Sequence, residues 1–199
     1  MCVNFEIERE LLRLGYKKIA GVDEVGRGCL CGPVVAAAVI FDVNERLIKG
    51  VRDSKLISPR KREELAKIIH ERALGVGIGF ASNLEIDGEN IQIATIKAMK
   101  RAINNLPVEP DFILVDGKAI KDISYPQRAI IKGDRKCFSI ASASIIAKVI
   151  RDEIMQIYSK LFPGYFLSKN KGYGTREHFY ALKELGPTLF HRISFKLKW

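Results

Sequence analysis

The chain is poor in the residues that build metal-thiolate or disulfide frameworks, with four cysteines, three histidines, three methionines and one tryptophan among 199 residues. Cys29-Leu30-Cys31 has no second pair at zinc-finger spacing. Cys2 and Cys137 stand apart, and His70, His178 and His191 are scattered, so free thiols are expected and a zinc centre is not. Long hydrophobic runs are missing too: the longest, Pro33 to Phe41, has strand length and falls well short of a membrane span. The stretch from Met1 to Glu6 lacks the charged start and apolar middle of a signal peptide, which predicts a cytoplasmic protein with no membrane partner. No repeat, low-complexity tract or long Gly/Ser linker interrupts the chain, and the absence of a Walker-type GxxxxGK[ST] argues against a P-loop NTPase. Glutamine is scarce against 28% charged residues, a composition that hints at a thermophilic source.

What is present is enough apolar residue, 47%, to bury a proper core, which predicts one domain with a modest appendage. Lysine plus arginine exceeds aspartate plus glutamate by 33 to 23, giving a net charge of +10. A polyanionic partner follows, with DNA, RNA and a membrane surface all left open by charge alone.

Strands and helices alternate along the chain. Residues 18–24, 33–41 and 75–80 read as strands whose short connections suggest antiparallel neighbours. Ser58 reads as the N-cap of a helix that begins at Pro59 and runs to about Leu74, and a second helix is expected from about Asn90 to Asn105. Residues 111–117 and 128–134 read as buried strands, each ending in an acid. A long helix follows from Ser139 to about Leu161, with alanine and serine on one side and aliphatic residues on another. After Pro163-Gly164, a basic, glycine-rich loop over 169–175 leads to a last helix at 176–185.

The chemistry gathers at the strand ends. Asp23 and Glu24 close the first strand just before Gly26-Arg27-Gly28, and Asp116 and Asp134 close two later ones. A regular strand points adjacent residues to opposite faces, so Asp23 and Glu24 could converge only if the glycine turn redirects the chain. Parallel neighbouring strands collect their ends at one sheet edge, and four carboxylates there would repel one another unless divalent cations sat among them. Two such ions suit in-line attack of water on a phosphodiester.

With these residues in hand, the sequence closely resembles ribonuclease HII, the type 2 ribonuclease H family, over nearly its whole length. The motifs are Gly21-Val22-Asp23-Glu24-Val25-Gly26-Arg27-Gly28, Asp53-Ser54-Lys55, Val115-Asp116-Gly117, Lys132-Gly133-Asp134, Ser142 to Asp152 and Lys171-Gly172-Tyr173, in the family's order and approximate spacing. The resemblance implies an α/β fold, a ribonuclease H-like mixed β-sheet flanked by helices with a small helical C-terminal extension. Residues 1–161 would form the catalytic domain and 162–199 the extension packed on it. It implies Mg²⁺ or Mn²⁺ in a two-metal site held by Asp23, Glu24, Asp116 and Asp134. The implied substrates are RNA-DNA hybrids and duplex DNA containing single ribonucleotides, cut on the 5′ side of the ribonucleotide to leave 3′-hydroxyl and 5′-phosphate ends. Gly26, Arg27 and Gly28 would present backbone groups to the 2′-hydroxyl. Tyr173 would hydrogen-bond there and stack on the following deoxyribose, while Ser54 and Lys55 would hold backbone phosphates. A monomer is expected.

Some residues have two readings. Asp152 lies one helical turn after Lys148 and could form an i,i+4 ion pair rather than approach the metals, and Lys169, Lys171 and Arg176 could be a solvated rim or could track a DNA strand. Cys29, Cys31 and Gly174 depart from the family's usual proline, alanine and proline, which bears on the stiffness of both substrate-reading loops. Among alternatives, ribonuclease HIII carries a substantial N-terminal domain, whereas about 17 residues precede the first expected strand here. A non-catalytic binder on the same fold would be expected to lose one of the acids, and an actin-like kinase needs glycine loops in two halves of a longer chain.

Overall fold

The computed structural model describes residues 3–195. Cys2, with its expected free thiol, and the last four residues of the expected extension lie outside that range. The strands are β1 (Ile19–Val25), β2 (Val34–Ile40), β3 (Gly75–Ala81), β4 (Phe112–Asp116) and β5 (Gln127–Ile130). They form one mixed sheet in the order β3-β2-β1-β4-β5, antiparallel across β3-β2-β1 and parallel across β1-β4-β5. The helices are α1 (Glu6–Arg13), α2 (Pro59–Arg72), α3 (Asn83–Glu89), α4 (Ile91–Asn104), α5 (Phe138–Leu161), α6 (Leu167–Asn170) and α7 (Arg176–Leu185). None is long and apolar enough to cross a membrane.

Strand β2 is buried along its whole length because each face meets a helical layer. Val35, Ala37 and Val39 join Leu65 and Ile69 of α2 and Phe138, Ala141 and Ile145 of α5. Val34, Ala36 and Ala38 join Ala94, Ala98 and Ala102 of α4. A continuous apolar run is what a strand covered on both sides requires. Glycine sets how closely the helices approach: a Cβ on Gly21 would lie 2.3 Å from the Ser139 backbone, and one on Gly79 would lie 2.1 Å from the Ala98 carbonyl oxygen.

Several boundaries differ from the sequence reading. The strand expected over 128–134 stops at Ile130, because Lys132 turns the chain at φ +56° and Gly133–Arg135 forms a single 3₁₀ turn. Helices α1 and α3 were not expected. The latter opens on a reciprocal capping box between Ser82 and Glu85, after which Asn90 both ends α3 and caps α4. Ser58 occupies the expected cap position of α2 without a side-chain cap bond. The start of the glycine-rich loop belongs to a helical turn, α6, flanked by Phe166 and Lys171 at positive φ.

The C-terminal elements pack on the body through a cluster of Leu30, Cys31, Met155, Tyr165, Leu167 and Leu182. This packing carries Tyr173 back against the segment that follows β1, where it bridges Cys29.

Candidate active site

Parallel pairing brings the ends of β1, β4 and β5 to the same edge of the sheet. An open cleft of about 430 Å³ lies there, lined by Asp23, Glu24, Asp116 and Asp134 together with Ser54, Lys55, Ser144, Lys148 and Tyr173. The four acids singled out in the sequence therefore share one cavity. The glycine turn does not produce this convergence, since β1 runs regularly to Val25 and Gly26 follows it. Asp23 lies on the α5 face of the sheet and Glu24 on the α4 face; both reach the cavity because it opens at the sheet's end. Glu24 and Asp116 also line a neighbouring hollow of about 440 Å³ with Arg27, Gln92, Lys118 and Lys121.

Local contacts fix each carboxylate. Asp23 is 6% exposed, and its Oδ1 accepts a 2.8 Å bond from the Glu24 amide. The Gly133 amide donates to Asp116 Oδ1 at 2.6 Å, and a Cβ on Gly133 would meet Ile140 at 2.6 Å, so the turn bearing Asp134 is pinned against Asp116. Asp53 joins a second turn to the first: its Oδ1 accepts from the Lys55 amide at 3.0 Å, and its Oδ2 accepts from Arg135 Nη2 at 2.9 Å. That clamp places Lys55 opposite Asp134. Arg135 in this role carries no sequence signal beyond its place beside a motif.

The electrostatics follow from burial. Asp23 is pushed well above the ordinary carboxyl range by desolvation and then by the charges of Glu24 and Asp116. Desolvation also raises Glu24, opposed by Arg27, whose Nη1 lies 3.3 Å from Glu24 Oε1. Asp134 is raised by burial and by Asp53 and Asp116, against Lys55 and Arg135. Carboxylates held together against their mutual repulsion are a donor set that fits divalent cations. Among the described residues, no three His, Cys, Asp or Glu side chains form a ready-made cage. An ion that keeps much of its water and takes few protein ligands suits such a site.

The remaining expected residues fall as follows. Ser54 is buried, and its hydroxyl lies 3.0 Å from that of Ser144, so it faces α5. Lys148 reaches the cleft from α5 and donates to Asp152 Oδ1 at 2.7 Å, so the i,i+4 pair forms. Lys169 pairs with Glu177 at 3.2 Å on the surface. Gly26 has φ +97°, and a Cβ there would meet Arg151 Nε at 2.2 Å, whereas a Cβ on Gly28 would enter open space. Of the two turn glycines, then, Gly26 serves packing and Gly28 leaves room.

Behind the turn lie two buried arginines that the sequence reading did not single out. Arg151 donates from Nε to the Pro33 carbonyl at 3.0 Å, from Nη1 to the Lys171 carbonyl at 2.7 Å and from Nη2 to the Cys31 carbonyl at 3.0 Å. Arg192 donates from Nε and Nη2 to the Gly32 carbonyl at 3.0 and 2.8 Å, and from Nη1 to the Arg27 carbonyl at 2.9 Å. Burial pulls Arg192 down to about 10, which leaves it charged at neutral pH. Arg151 thus binds the 31–33 segment to Lys171, and Arg192 ties the 27–32 turn to the C-terminal segment. Tyr173 forms a β-bridge with Cys29, and its half-exposed ring sits 5.9 Å from the Arg151 guanidinium and 6.0 Å from Lys148 Nζ. Burial and the neighbouring Cys29 hold its phenol up to about 12, so it remains a hydrogen-bond donor.

The ribonuclease HII family model matches residues 20–198. Ribonuclease HII of Caldicellulosiruptor bescii is 52% identical over 191 residues, covering 96% of this chain and 92% of the relative. That of Moorella thermoacetica is 50% identical over 189 residues, 95% of this chain and 91% of the relative. Among solved structures, the ribonuclease HII of Archaeoglobus fulgidus, determined in complex with PCNA, superposes with a TM-score of 0.78 at 28% identity, covering 92% and 96% of the two chains. The ribonuclease H2 of Pyrococcus horikoshii gives 0.75 at 25% identity, covering 90% and 94%.

Proposed function

The chain belongs to the ribonuclease HII family and is a ribonuclease, and we propose that it cleaves the RNA strand of RNA-DNA hybrids and cuts on the 5′ side of single ribonucleotides embedded in duplex DNA. The observation that carries this reading is the shared cleft, in which four carboxylates stand beside Lys55, Lys148 and Tyr173.

Asp23, Glu24, Asp116 and Asp134 would hold the cations, Mg²⁺ or Mn²⁺. The chemistry such ions supply when bound is activation of a water molecule and stabilisation of the leaving oxygen of an in-line displacement. The protein's own groups do the rest. Lys55 and Lys148 attract the backbone phosphates, which positions the duplex without reading its sequence. Gly28 leaves space for a sugar at the Gly26-Arg27-Gly28 turn. The protonated Tyr173 phenol donates toward the 2′-hydroxyl, the group that separates ribose from deoxyribose, and its ring covers the next sugar. Cleavage so arranged leaves 3′-hydroxyl and 5′-phosphate ends. We further propose that the protein acts as a monomer in the cytoplasm, where such duplexes arise.

The test is direct. Purified protein with Mg²⁺ is incubated with a labelled duplex containing one ribonucleotide, with an RNA-DNA hybrid and with an all-DNA duplex, and the cut positions are mapped. Cleavage is expected immediately 5′ of the ribonucleotide, and none of the all-DNA duplex. Cutting of all three duplexes, or a cut on the 3′ side, overturns the reading.

A further inference from the structure

Two of the three histidines, 13 positions apart, meet in the interior and are both almost wholly buried: His178 Nε2 lies 3.0 Å from His191 Nε2. Their protonation pattern follows from their other partners. The Thr188 backbone N–H donates to His191 Nδ1 at 2.9 Å, so that nitrogen must be an acceptor and His191 carries its proton on Nε2. That proton is donated to His178 Nε2, which places the His178 proton on Nδ1. His178 Nδ1 in turn lies 2.9 Å from the Tyr173 carbonyl oxygen and donates to it. One directional chain of hydrogen bonds thus runs from the Thr188 backbone through both imidazoles to the backbone of Tyr173.

Each end of this chain is anchored. His191 is bridged to Cys31, and the Arg192 amide donates to the Leu30 carbonyl at 2.9 Å, so His191 is fixed to the segment that follows the Gly26-Arg27-Gly28 turn. His178 lies in the first turn of α7, which Thr175 caps through the His178 amide. The Tyr173 carbonyl accepts a second bond from the Thr175 amide at 2.8 Å, so both of its lone pairs are used. Neither histidine lines the cleft and both are buried, so they act away from the substrate.

We infer that His178 and His191 are positioning residues for the cleavage reaction: they fix the backbone of Tyr173 relative to the 27–33 loop and so set where the tyrosine ring meets the ribonucleotide junction. This rests on the reading of Tyr173 as the residue that recognises that junction. An interior pair that merely filled space would need no particular tautomer, and apolar residues would serve as well. Here the order of donors and acceptors is dictated along the whole chain and ends on the one exposed aromatic residue of the cleft.

Two substitutions separate the halves of the relay. The side-chain amide of asparagine reaches the place of imidazole Nδ1, and that of glutamine reaches the place of Nε2. His178→Asn keeps a donor for the Tyr173 carbonyl, whereas His178→Gln keeps the contact with His191 and loses Tyr173. Single-turnover cleavage of the one-ribonucleotide duplex is measured beside binding of the same duplex in EDTA, with melting temperatures and Tyr173→Ala in parallel. His178→Gln is expected to slow cleavage about five- to tenfold with binding unchanged within twofold, the size of effect that one lost hydrogen bond gives. His178→Asn is expected to cut within threefold of the parent. Equal losses in both variants that track melting temperature would overturn the inference and leave a structural pair. If Tyr173→Ala slows cleavage but His178→Gln does not, the inference fails while the reading of Tyr173 stands. A Tyr173→Ala variant that cuts like the parent overturns that reading and the inference with it.

Discussion

At the end of the sheet, Asp23 and Asp134 are buried among neighbours of their own sign, whereas beneath the adjoining loops Arg151 and Arg192 are buried with every guanidinium nitrogen donating to a carbonyl. Both regions place charge in the interior, and the cost is handled differently. The cleft leaves its carboxylates raised in pKa and in want of a counter-ion, a condition that cations and substrate relieve. In the loop platform each guanidinium nitrogen donates to a backbone oxygen, and no carboxylate is hydrogen-bonded to either arginine. An unmet need for a counter-ion therefore marks the cleft proposed to do the chemistry, and a hydrogen bond at every guanidinium nitrogen marks the loops held in place beside it.

The sharpest way to break this contrast is to remove one carboxylate. Asp23→Asn is expected to lower cleavage at least about a thousandfold, roughly 4 kcal/mol of barrier, with duplex binding retained, because phosphates are held by the lysines. Near-parent turnover measured with saturating Mg²⁺ would remove Asp23 from the metal site.

On the other side of the comparison, Arg192→Met keeps the bulk but leaves the Gly32 and Arg27 carbonyls without their donors. A loss of roughly 3 kcal/mol is expected, a fall of about 6–12 °C in melting temperature. A melting temperature within two degrees of the parent's would show that the platform does not depend on this guanidinium.

The smallest effect concerns Asp134 without metal. Its folded carboxyl titrates above the unfolded value, so on raising the pH the unfolded chain ionises first and stability is lost from about pH 4 upward, through the raised folded range. Asp134→Asn removes that loss, and in EDTA at neutral pH it should melt at the same temperature as the parent or up to a few degrees higher. A clear drop would make Asp134 a structural acid.

The acids and the strands that carry them were legible because their signals are local. An apolar run ending in a carboxylate and glycine predicts β1 and β4, Pro59 opens α2, and the small residues before the aliphatic stripe predict α5. Asp134 was legible as a member of the cleft although its setting was misread: β5 stops early because Lys132 adopts a left-handed conformation, which a lysine gives no reason to expect. Helix α3 was legible in principle, since Ser82 and Glu85 carry the capping-box spacing. The roles of Arg151, Arg192, His178 and His191 were not legible at all. Their partners are mostly main-chain oxygens, which every residue possesses, and those partners lie as far as 165 positions away, as Arg27 does from Arg192.

The separation between Arg192 and Arg27 also bears on the order in which the molecule assembles. All four carboxylates are present by residue 134, and the strand pairing that gathers Asp23, Glu24 and Asp116 joins Ile19 to Phe112. The loop proposed to read the sugar is pinned by Arg192, which bonds Arg27 across 165 positions, and closing so long a span costs more chain entropy. From these spans we expect the acids to gather before the turn from Gly26 to Pro33 is locked.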